Sequence, residues 1–462
     1  MIPVGFILHL LLLASSFIAV IKGASVGKEN ELDLQSIYER YGRNPEDTWL
    51  SVLDESYSQG RYARWQQLST NCGSTGVDVE QLLSDWFDDG MAVLMSEDGT
   101  TDPVEVAVAP PLVNEAQEKL RESNCTASVV AEDLEKLFFS TLSPVRVANP
   151  ITETFLELQE IEKFIHDLVA KYPGQAQIKQ IGETENGTAI HMVIIKPKPS
   201  RTVPLNGTVT PPVVFVDSGT HAREWLSVST SLYAIQQLLE QPSSPARQVE
   251  WRIVPVVNPD GYAYSWNTNR LWRKNRKSGS GRCQGVDLNR NFDINFAGVG
   301  ASSRPCSYQY CGPSAFSEPE TRAVRDAILE VGSRLKGYMA LHSYSQVILL
   351  PWAYKPDEHP NLSNMTAMGE GMVKEISKAR GTVFGVYDTY KNFYPGSGIS
   401  MDWASSIGIP YTMTLELHDK GEHGFLYPAS KINDAVTEVW KGIEYFGQEI
   451  ARQSREGYFL RK

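Results

Sequence analysis

The chain has 462 residues, of which 42% are hydrophobic and 21% charged, a composition typical of a folded globular protein. This length exceeds what one compact core normally holds, so two domains are expected. The net charge of −12 is unevenly spread, because residues 25–146 contain 9 Lys and Arg against 23 Asp and Glu. Such a distribution offers no basic patch on the scale that nucleic-acid binding requires, and this function is set aside.

The first 24 residues are typical of a signal peptide. An apolar stretch runs from Val4 to Val20 and is followed by the small residues Gly23, Ala24 and Ser25. A retained membrane anchor is the alternative, and the shortness of the apolar stretch weighs against it. We therefore expect a secreted, extracellular protein without a membrane segment.

Sequons and cysteines fit an exported chain. Five N-x-S/T sequons are present, at Asn124, Asn186, Asn206, Asn361 and Asn364. Export also permits disulfides, and an odd total of five cysteines leaves at least one thiol unpaired or paired between chains. No C-x-x-C sequence occurs, so a cysteine-based zinc site is not expected.

The acidic N-terminal part is predicted to form a small domain. Residues 25–60 show little periodicity and are interpreted as a loosely structured lead segment. From residue 61 the pattern alternates between strands and helices, which predicts a small α+β open sandwich over about 80 residues. The predicted elements are helix Val79–Phe87, strand Gly90–Met95, strand Pro103–Val108, helix Leu112–Arg121 and an ambiguous stretch Val129–Phe139.

The sequence from Ser143 to Pro150 is typical of a linker. Two prolines bracket Arg146, the only basic residue between Lys136 and Lys163. We hypothesise that an activating trypsin-like protease cuts at this arginine or at another exposed site nearby.

Residues 149–462 are predicted to form one large α/β domain with a mixed sheet. The predicted strands are Ile178–Ile181, Ala189–Ile195, Val213–Val216, Trp251–Val257, Tyr338–Leu341 and Tyr411–Leu417. The predicted helices are Leu156–Lys171, Leu226–Glu240, Glu318–Gly332, Ala367–Ala379 and Ile432–Arg452.

A possible metal-binding loop lies between the predicted strand Val213–Val216 and the helix that follows it. Open α/β folds bind ligands at this carboxyl edge of the sheet. His221 and Glu224 are three residues apart, so one turn can direct an imidazole nitrogen and a carboxylate at one point. This pair suits Zn²⁺, which needs a third ligand and an open position for catalysis. Without a third ligand, the ordinary start of a surface helix explains the pair better.

His342, at the end of a predicted strand, is the best candidate for the third ligand. Glu416 lies in an apolar strand, where a carboxylate is costly to bury without a function or a partner. A glutamate there can serve as the general base and acid of a zinc hydrolase. The alternatives are a core or surface histidine and a strand-end glutamate that reaches solvent.

Arginines are concentrated in the Asn269–Arg276 segment, and Arg290 follows within Asn289–Asn291. Guanidinium groups bind carboxylates through two hydrogen bonds and stabilise developing oxyanions. By composition alone, a solvated basic loop is the commoner explanation.

Several motifs stand in the order found in zinc carboxypeptidases of the pancreatic A/B type. They are His221-Ala222-Arg223-Glu224-Trp225, Asn258-Pro259-Asp260-Gly261, Gly285-Val286-Asp287-Leu288-Asn289-Arg290-Asn291, His342-Ser343-Tyr344-Ser345-Gln346 and Glu416-Leu417-His418-Asp419. The resemblance covers about residues 149–450, and residues 88–139 resemble the activation segment of that family. It implies a mixed, eight-stranded type of central sheet flanked by helices, with a small α+β open-sandwich pro-domain. The implied organisation is a signal peptide (1–24), a pro-segment (25–146, with its activation domain at about 61–139) and a catalytic domain (147–462).

The resemblance also assigns roles by position. His221, Glu224 and His342 match the ligands of one zinc ion per chain, and Asp287 matches a partner that orients a ligand histidine. Glu416 matches the general base and acid, and Arg273 the group that polarises the scissile carbonyl. The clamp on the substrate's terminal carboxylate is matched by Asn289, Arg290 and Tyr394, and the neighbouring subsites by Arg223, Arg270 and Tyr344. Cys283 and Cys306 match a family disulfide. A pairing of Cys72 with Cys125 inside the pro-segment, which leaves Cys311 over, is one alternative that stays open.

Specificity in the family follows the floor of the side-chain pocket. Members that remove Lys or Arg carry an acidic residue where this chain has Met401, which offers an apolar surface instead. The other matched pocket residues are uncharged, namely Leu349, Ala353, Thr389, Gly396 and Thr414. We therefore expect release of aliphatic or aromatic C-terminal residues. Ile399 replaces a usual glycine, which predicts a narrowed pocket that disfavours large aromatics.

The sequence thus predicts a secreted zymogen of a zinc exopeptidase, which is a monomer and acts on peptide or protein C-termini. The acidic pro-segment is expected to dock on the arginine-lined cleft and block it; a role in folding alone is the alternative. Two other functions stay open at this point. One is a peptide-binding protein that has lost catalysis, and the other is a carboxypeptidase specific for basic residues, which Met401 argues against.

Overall fold

The computed structural model describes residues 64–84, 86, 92–96, 103–141, 150–198, 210–279 and 283–460. The expected signal peptide, the lead segment 25–60 and Arg146 in the linker lie outside these residues. Among the described residues, none of the helices combines the length and apolar character that a bilayer span needs.

The N-terminal unit, which we define as the described residues between 64 and 141, is a four-stranded antiparallel sheet with helices. Its strands are β1 (Gln66–Asn71), β2 (Ala92–Leu94), β3 (Val104–Val108) and β4 (Thr126–Ala131), in the spatial order β2-β3-β1-β4. Its helices are α1 (Val79–Leu82), α2 (Val113–Glu122) and α3 (Leu134–Ser140). A disulfide between Cys72 and Cys125 joins the end of β1 to the start of β4. The stretch Val129–Phe139, which was ambiguous in the sequence, holds the end of strand β4 and most of helix α3.

The larger unit begins at residue 150 and is built on an eight-stranded mixed sheet. Its strands are β5 (Ala176–Glu183), β6 (Ala189–Ile195), β7 (Val213–Asp217), β8 (Glu250–Val254), β9 (Leu335–His342), β10 (Val347–Leu350), β11 (Gly385–Asp388) and β12 (Tyr411–Glu416). They lie in the order β11-β10-β12-β9-β7-β8-β6-β5. The pairs β7–β8, β7–β9, β9–β12 and β10–β11 are parallel, and the others are antiparallel. The expected mixed eight-stranded sheet is confirmed.

Helices cover both faces of this sheet. They are α4 (Pro150–Glu153), α5 (Leu158–Ala170), α6 (Trp225–Glu240), α7 (Pro259–Asn267), α8 (Pro319–Val331), α9 (Leu362–Arg380), α10 (Thr389–Asn392), α11 (Ser400–Ser406) and α12 (Ile432–Arg455). One apolar cluster packs α6, α9 and α12 on one side, and another packs α8 and α11 on the other. Central strands covered on both sides carry apolar runs, as β7 does with four buried apolar residues before the buried Asp217.

Parallel pairing brings the site residues to one edge of the sheet. Strand β7 precedes the loop with His221, β9 ends at His342 and β12 ends at Glu416. Since parallel strands end at the same edge, residues far apart in sequence meet there. The register of β9 and β12 places Glu416 directly beside His342.

The observed strands and helices differ in a few places from those predicted from the sequence. Strand β8 ends at Val254 rather than Val257, because Pro255 cannot donate a ladder hydrogen bond. Strands β10 and β11 were not predicted; each is only four residues long, and β11 is an edge strand with little apolar periodicity. Helix α7 was also missed, since Pro259 and Gly261 suggest a turn.

The cysteines of the described chain pair as the resemblance implies. Cys283 is bonded to Cys306, and Cys311 is a buried free thiol. The expected pairing of Cys72 with Cys125 is likewise present.

Candidate active site

Three donor groups meet at the carboxyl edge of the sheet. Nδ1 of His221 lies 2.6 Å from Oε1 of Glu224, and Nδ1 of His342 lies 3.0 Å from Oε2 of the same carboxylate. The two Nδ1 atoms are 3.1 Å apart, and all three side chains are buried. Atoms bound to one Zn²⁺ at about 2.0–2.2 Å lie roughly 3–3.5 Å from each other. The spacing and the donor types therefore fit a single zinc ion.

The charge state of Glu224 suits a metal ligand. Burial acts to raise the pKa of this carboxyl, but attraction and hydrogen bonding from His221 and His342 outweigh burial and lower it below its ordinary value. The carboxylate is thus ionised at neutral pH, as a ligand must be.

Asp287 connects this centre to the residues around it. Its Oδ1 lies 3.2 Å from Nε2 of His221, the nitrogen opposite the metal-facing one, and accepts a hydrogen bond from the backbone N–H of Asn289. Its Oδ2 accepts a hydrogen bond from Nε of Arg273 at 3.1 Å. Burial would raise the pKa of Asp287, but Arg273 and His221 hold it well below its ordinary value. An ionised Asp287 fixes the ring orientation of His221 and the position of the Arg273 guanidinium.

Glu416 is the last residue of β12 and is 2% exposed. The next residue, Leu417, donates its N–H to the carbonyl of His342, which holds the ends of β12 and β9 together. The loop after Glu416 is anchored behind the site by His418, whose Nε2 contacts the buried carboxylate of Glu438 on α12. The backbone around the glutamate is thus fixed from two directions.

A second group of polar side chains lies beyond Asp287 along the chain. Arg290 is fully buried, with Nε donating to the carbonyl of Gly300 and Nη1 to that of Asn289. Within the described part of the chain, its Nη2 has no hydrogen-bond partner. The ring of Tyr394 lies 5.8 Å from the guanidinium carbon, and Oδ1 of Asn289 accepts the N–H of Ser400.

Arg223 and Arg270 are held by backbone carbonyls and aromatic rings. Arg270 lies 3.6 Å above the ring of Trp225 and donates to the carbonyls of Arg223 and Phe425. The guanidinium of Arg223 lies 3.9 Å above the ring of Phe425, which also contacts the Tyr344 ring edge-on at 5.0 Å. Phe425 thus joins three of the expected substrate-binding residues, and sequence reasoning missed it because nothing in its local sequence distinguishes it from a core residue.

The expected pocket residues are buried around one end of strands β10 and β12. Leu349 and Thr414 are paired across these strands, and Met401 is 1% exposed on α11. Ala353 accepts the N–H of Gly396, which ties the pocket wall to the loop that carries Tyr394. The side chains of Leu349, Ala353, Met401 and Thr414 are uncharged, whereas the buried carboxylate of Asp402, next to Met401, accepts the N–H of Ala353.

The N-terminal unit contacts the same arginine and tyrosine. Arg223 donates from Nη1 to the carbonyl of Leu94 at 2.6 Å and approaches the carbonyl of Ser96 at 3.5 Å. The hydroxyl of Tyr344 donates to Glu105 on β3 at 3.0 Å. A second contact lies at α1, where the carboxylate of Glu80 accepts the N–H of Tyr308. The unit is therefore attached to the larger unit at two separate places, and neither acidic residue was singled out from the sequence.

The fold and the site together define a zinc metallopeptidase type of centre at the edge of a mixed sheet. The zinc carboxypeptidase family (Peptidase_M14) matches residues 161–442. Carboxypeptidase B of Bos taurus is 36% identical over 311 residues, which cover 66% of this chain and 72% of that protein. The chain therefore belongs to the zinc carboxypeptidase family and is a metallocarboxypeptidase, a peptide hydrolase whose cofactor is zinc.

Solved structures of other carboxypeptidase-type proteins agree with this family assignment. The crystal structure of thrombin-activatable fibrinolysis inhibitor matches with a TM-score of 0.76 at 28% identity, over 85% of this chain and all of that one. Carboxypeptidase A from Helicoverpa armigera matches with a TM-score of 0.74 at 26% identity, over 85% and 99% of the two chains. Both matches extend over more of this chain than the family match does.

The metal centre can be tested by substitution. We expect His342→Ala to lose stoichiometric zinc, because only two of the three protein ligands remain. Asp287→Asn should weaken zinc affinity by about 10- to 100-fold, since it removes the charge that orients His221. Metal analysis after gel filtration gives the zinc content, and competition with a chelator gives the zinc affinity. His166→Ala, on the exposed face of α5, is the matched control. Full zinc content in His342→Ala would contradict the assignment.

The contact between the two units should weaken as the pH rises. Burial raises the pKa of Glu105 above its ordinary value of 4.5, and nearby Asp419 adds to this, while hydrogen bonds from Tyr344 and Gln67 oppose it. The docked unit therefore binds the proton more tightly, and ionisation above pH 4.5 costs docking free energy. Each pKa unit of difference is worth about tenfold in the docking equilibrium.

The measurement uses the chain cut between residues 142 and 149. Gel filtration at pH 5 and at pH 8 should show a larger co-eluting fraction of the N-terminal unit at pH 5. Glu105→Gln should flatten this dependence, whereas Glu115→Gln, on the exposed side of α2, should not. An unchanged pH dependence in Glu105→Gln would show that another group controls release.

Proposed function

We propose that the protein is a secreted zymogen of a zinc exopeptidase that removes one uncharged residue from the C-terminus of a peptide. The observation that carries this proposal is the buried Nη2 of Arg290, which lacks a partner in the described chain. An unpaired buried guanidinium N–H costs free energy unless a ligand pairs with it. The carboxylate of a peptide C-terminus is a group of the right charge, and it accepts two parallel N–H bonds from arginine.

The clamp is positioned relative to the metal centre through Asp287. This carboxylate contacts His221 on one oxygen and, through the same oxygen, the backbone of Asn289, which precedes Arg290. A terminal carboxylate bound at Arg290, with Tyr394 and Asn289 beside it, would therefore be held at a fixed distance from the zinc ligands. This geometry favours cleavage of the last peptide bond over internal ones.

Each residue around the centre has a distinct proposed role. Bound zinc would polarise the scissile carbonyl and make water a better nucleophile. Glu416 would take a proton from the attacking water and deliver it to the leaving nitrogen. Arg273, held by Asp287, would donate to the carbonyl oxygen as negative charge develops there. Arg223, Arg270 and Tyr344 would hold the residues upstream of the cleaved bond.

The N-terminal unit is proposed to keep the enzyme inactive until the linker is cut. Support comes from its hydrogen bonds to Arg223 and Tyr344, which occupy groups that the substrate would use. Arg146 is the proposed cleavage point for a trypsin-like protease. Secretion is supported by the expected signal peptide and by two disulfides, which persist in oxidising compartments.

The decisive assay measures hydrolysis of blocked dipeptides that end in Leu, Phe or Arg. We expect activity on Leu or Phe to rise after limited trypsin treatment and to disappear with a chelator. Glu416→Gln should lower kcat by about 10²- to 10⁴-fold while zinc content stays unchanged. Zinc-loaded, trypsin-treated protein that binds these peptides without cleaving them would instead indicate a peptide-binding homologue.

The expected preference for uncharged side chains can be tested by substituting Met401, the residue expected at the floor of the pocket. Met401→Asp should raise kcat/KM for C-terminal Arg relative to Leu by at least about tenfold, because a carboxylate would pair with the guanidinium. Met401→Asn introduces a side chain of the same size as aspartate but without its charge, so this variant is the matched control. If both variants reject Arg equally, Met401 does not face the substrate side chain.

A further inference from the structure

The motif that begins at Asn258 lies beside the loop after β7, which carries two of the proposed zinc ligands. Asn258 follows strand β8 and precedes helix α7. Beyond the ends of the parallel strands β7 and β8 the two chains continue side by side, because Val257 donates its N–H to the carbonyl of Ser218 and Asn258 donates to that of Gly219. Asn258 is fully buried, so the polar atoms of its side chain need partners within the protein.

The side-chain amide of Asn258 joins two segments of the site. Its Nδ2 donates at 3.1 Å to the carbonyl of Thr220, the residue before His221. The same nitrogen donates at 3.1 Å to the carbonyl of Lys274, the residue after Arg273. An amide nitrogen carries two N–H groups, and both are used in this bridge. One side chain therefore ties the loop with a proposed zinc ligand to the segment with the proposed carbonyl-polarising arginine.

The backbone adds a direct hydrogen bond between the same two segments. The N–H of Ala222 donates to the carbonyl of Arg273 at 3.0 Å. Helix α7 holds the loop at a further point, where Oγ of Ser265 donates to the carbonyl of Ala222 at 3.0 Å. Asp287 fixes the guanidinium end of Arg273, whereas the bonds from Ala222 and Asn258 fix the backbone from which this side chain extends.

Gly261, in the first turn of α7, leaves room for the amide in this position. A Cβ on Gly261 would lie 2.5 Å from both Nδ2 and Oδ1 of Asn258. The N–H of Gly261 donates to the same Oδ1 at 2.9 Å, which holds the amide plane in one orientation. Glycine is less favourable than alanine inside a helix, so this position serves the close approach of the amide rather than the helix itself.

We propose that Asn258 is a positioning residue that holds the backbone of Arg273 against the loop carrying His221. This inference rests on the proposed function, since it assumes that Arg273 donates to the carbonyl oxygen as negative charge develops there. Such donors act only when they are held in advance at the place where the charge appears. A displacement of about 1 Å costs roughly 10²-fold in rate. Asn258 acts through the two backbone segments and not on the substrate itself.

The test is a double-mutant cycle with Arg273. Asn258→Ser keeps an oxygen that can accept the Gly261 N–H, but it removes the amide that reaches both carbonyls. We expect it to lower kcat and kcat/KM by about 10²-fold each, with KM nearly unchanged, because the lost interaction forms only in the transition state. In the Arg273→Ala background the same substitution should lower kcat by less than about threefold, since the group that it positions is already absent.

Gly261→Ala displaces the same amide without changing its chemistry. It should lower kcat in the same direction, although alanine favours the helix. If Asn258→Ser does not fold, the cycle with Gly261→Ala decides. The matched control is Ser244→Ala, which removes another buried helix cap, one that accepts the N–H of Ala246 and donates to Glu444. This control should lower the melting temperature and leave kcat unchanged.

A readout without turnover uses a phosphonate analogue of the dipeptide, whose charged tetrahedral group mimics the transition state. Its Kd, measured by calorimetry on the trypsin-treated protein, should rise in Asn258→Ser by about 10²-fold, the factor by which kcat/KM falls. The zinc content should stay at one ion per chain. A residue that only stabilises the fold would lower the melting temperature without weakening phosphonate binding to the folded protein.

The outcomes separate this inference from the proposed function. Failure of the trypsin-treated parent to release any C-terminal residue would overturn the proposed function. If the parent turns over, three results would each overturn only the positioning role of Asn258. They are additive losses in the cycle, an unchanged kcat in Asn258→Ser or Gly261→Ala, and an unchanged kcat in Arg273→Ala.

Discussion

The ionised carboxylate of Asp287 is the constraint on which the rest of the site depends. It is fully buried, and its charge is stabilised by Arg273 and by the ring of His221. Through these contacts one side chain orients a zinc ligand, a guanidinium and the backbone that leads to Arg290. Removing one partner of a buried charge cluster leaves the other charges uncompensated, which costs several kcal/mol, about 3–5 for a buried pair. The metal centre and the proposed carboxylate clamp at Arg290 are therefore one structural unit.

The architecture followed from the sequence where the signals were local or the resemblance was specific. Strand β7 and helix α6 were predicted from apolar runs and helical spacing, and the motif order predicted the eight-stranded sheet. His221 and Glu224 could be paired from spacing alone because three residues separate them. His342 lies 118 residues beyond Glu224, and only its position at a strand end suggested that it would join them. The parallel pairing of β7 with β9, which sets the end of β9 beside the loop that carries His221 and Glu224, supplies the missing long-range information.

Other features depend on contacts that no local pattern encodes. Phe425 lies in a polar loop, and its contacts with Arg223, Arg270 and Tyr344 exist only because that loop folds back over the cleft. Glu105 alternates with buried valines in β3, as any solvent-facing strand residue would, yet it faces Tyr344 across the unit boundary. The short strands β10 and β11 are stabilised by their neighbours in the sheet rather than by their own propensities. Sequence reasoning marked Ile399 as the replacement of a usual glycine, and the narrowed pocket that follows from it stays a prediction.

The attachment of the N-terminal unit at Arg223 uses backbone carbonyls of residues 94 and 96 as acceptors. A carbonyl is present whatever the side chain is. Substitutions at these two positions can therefore accumulate without breaking the attachment, as long as the strand path is kept. The arginine, in contrast, donates through its side chain, so its replacement would remove this part of the attachment.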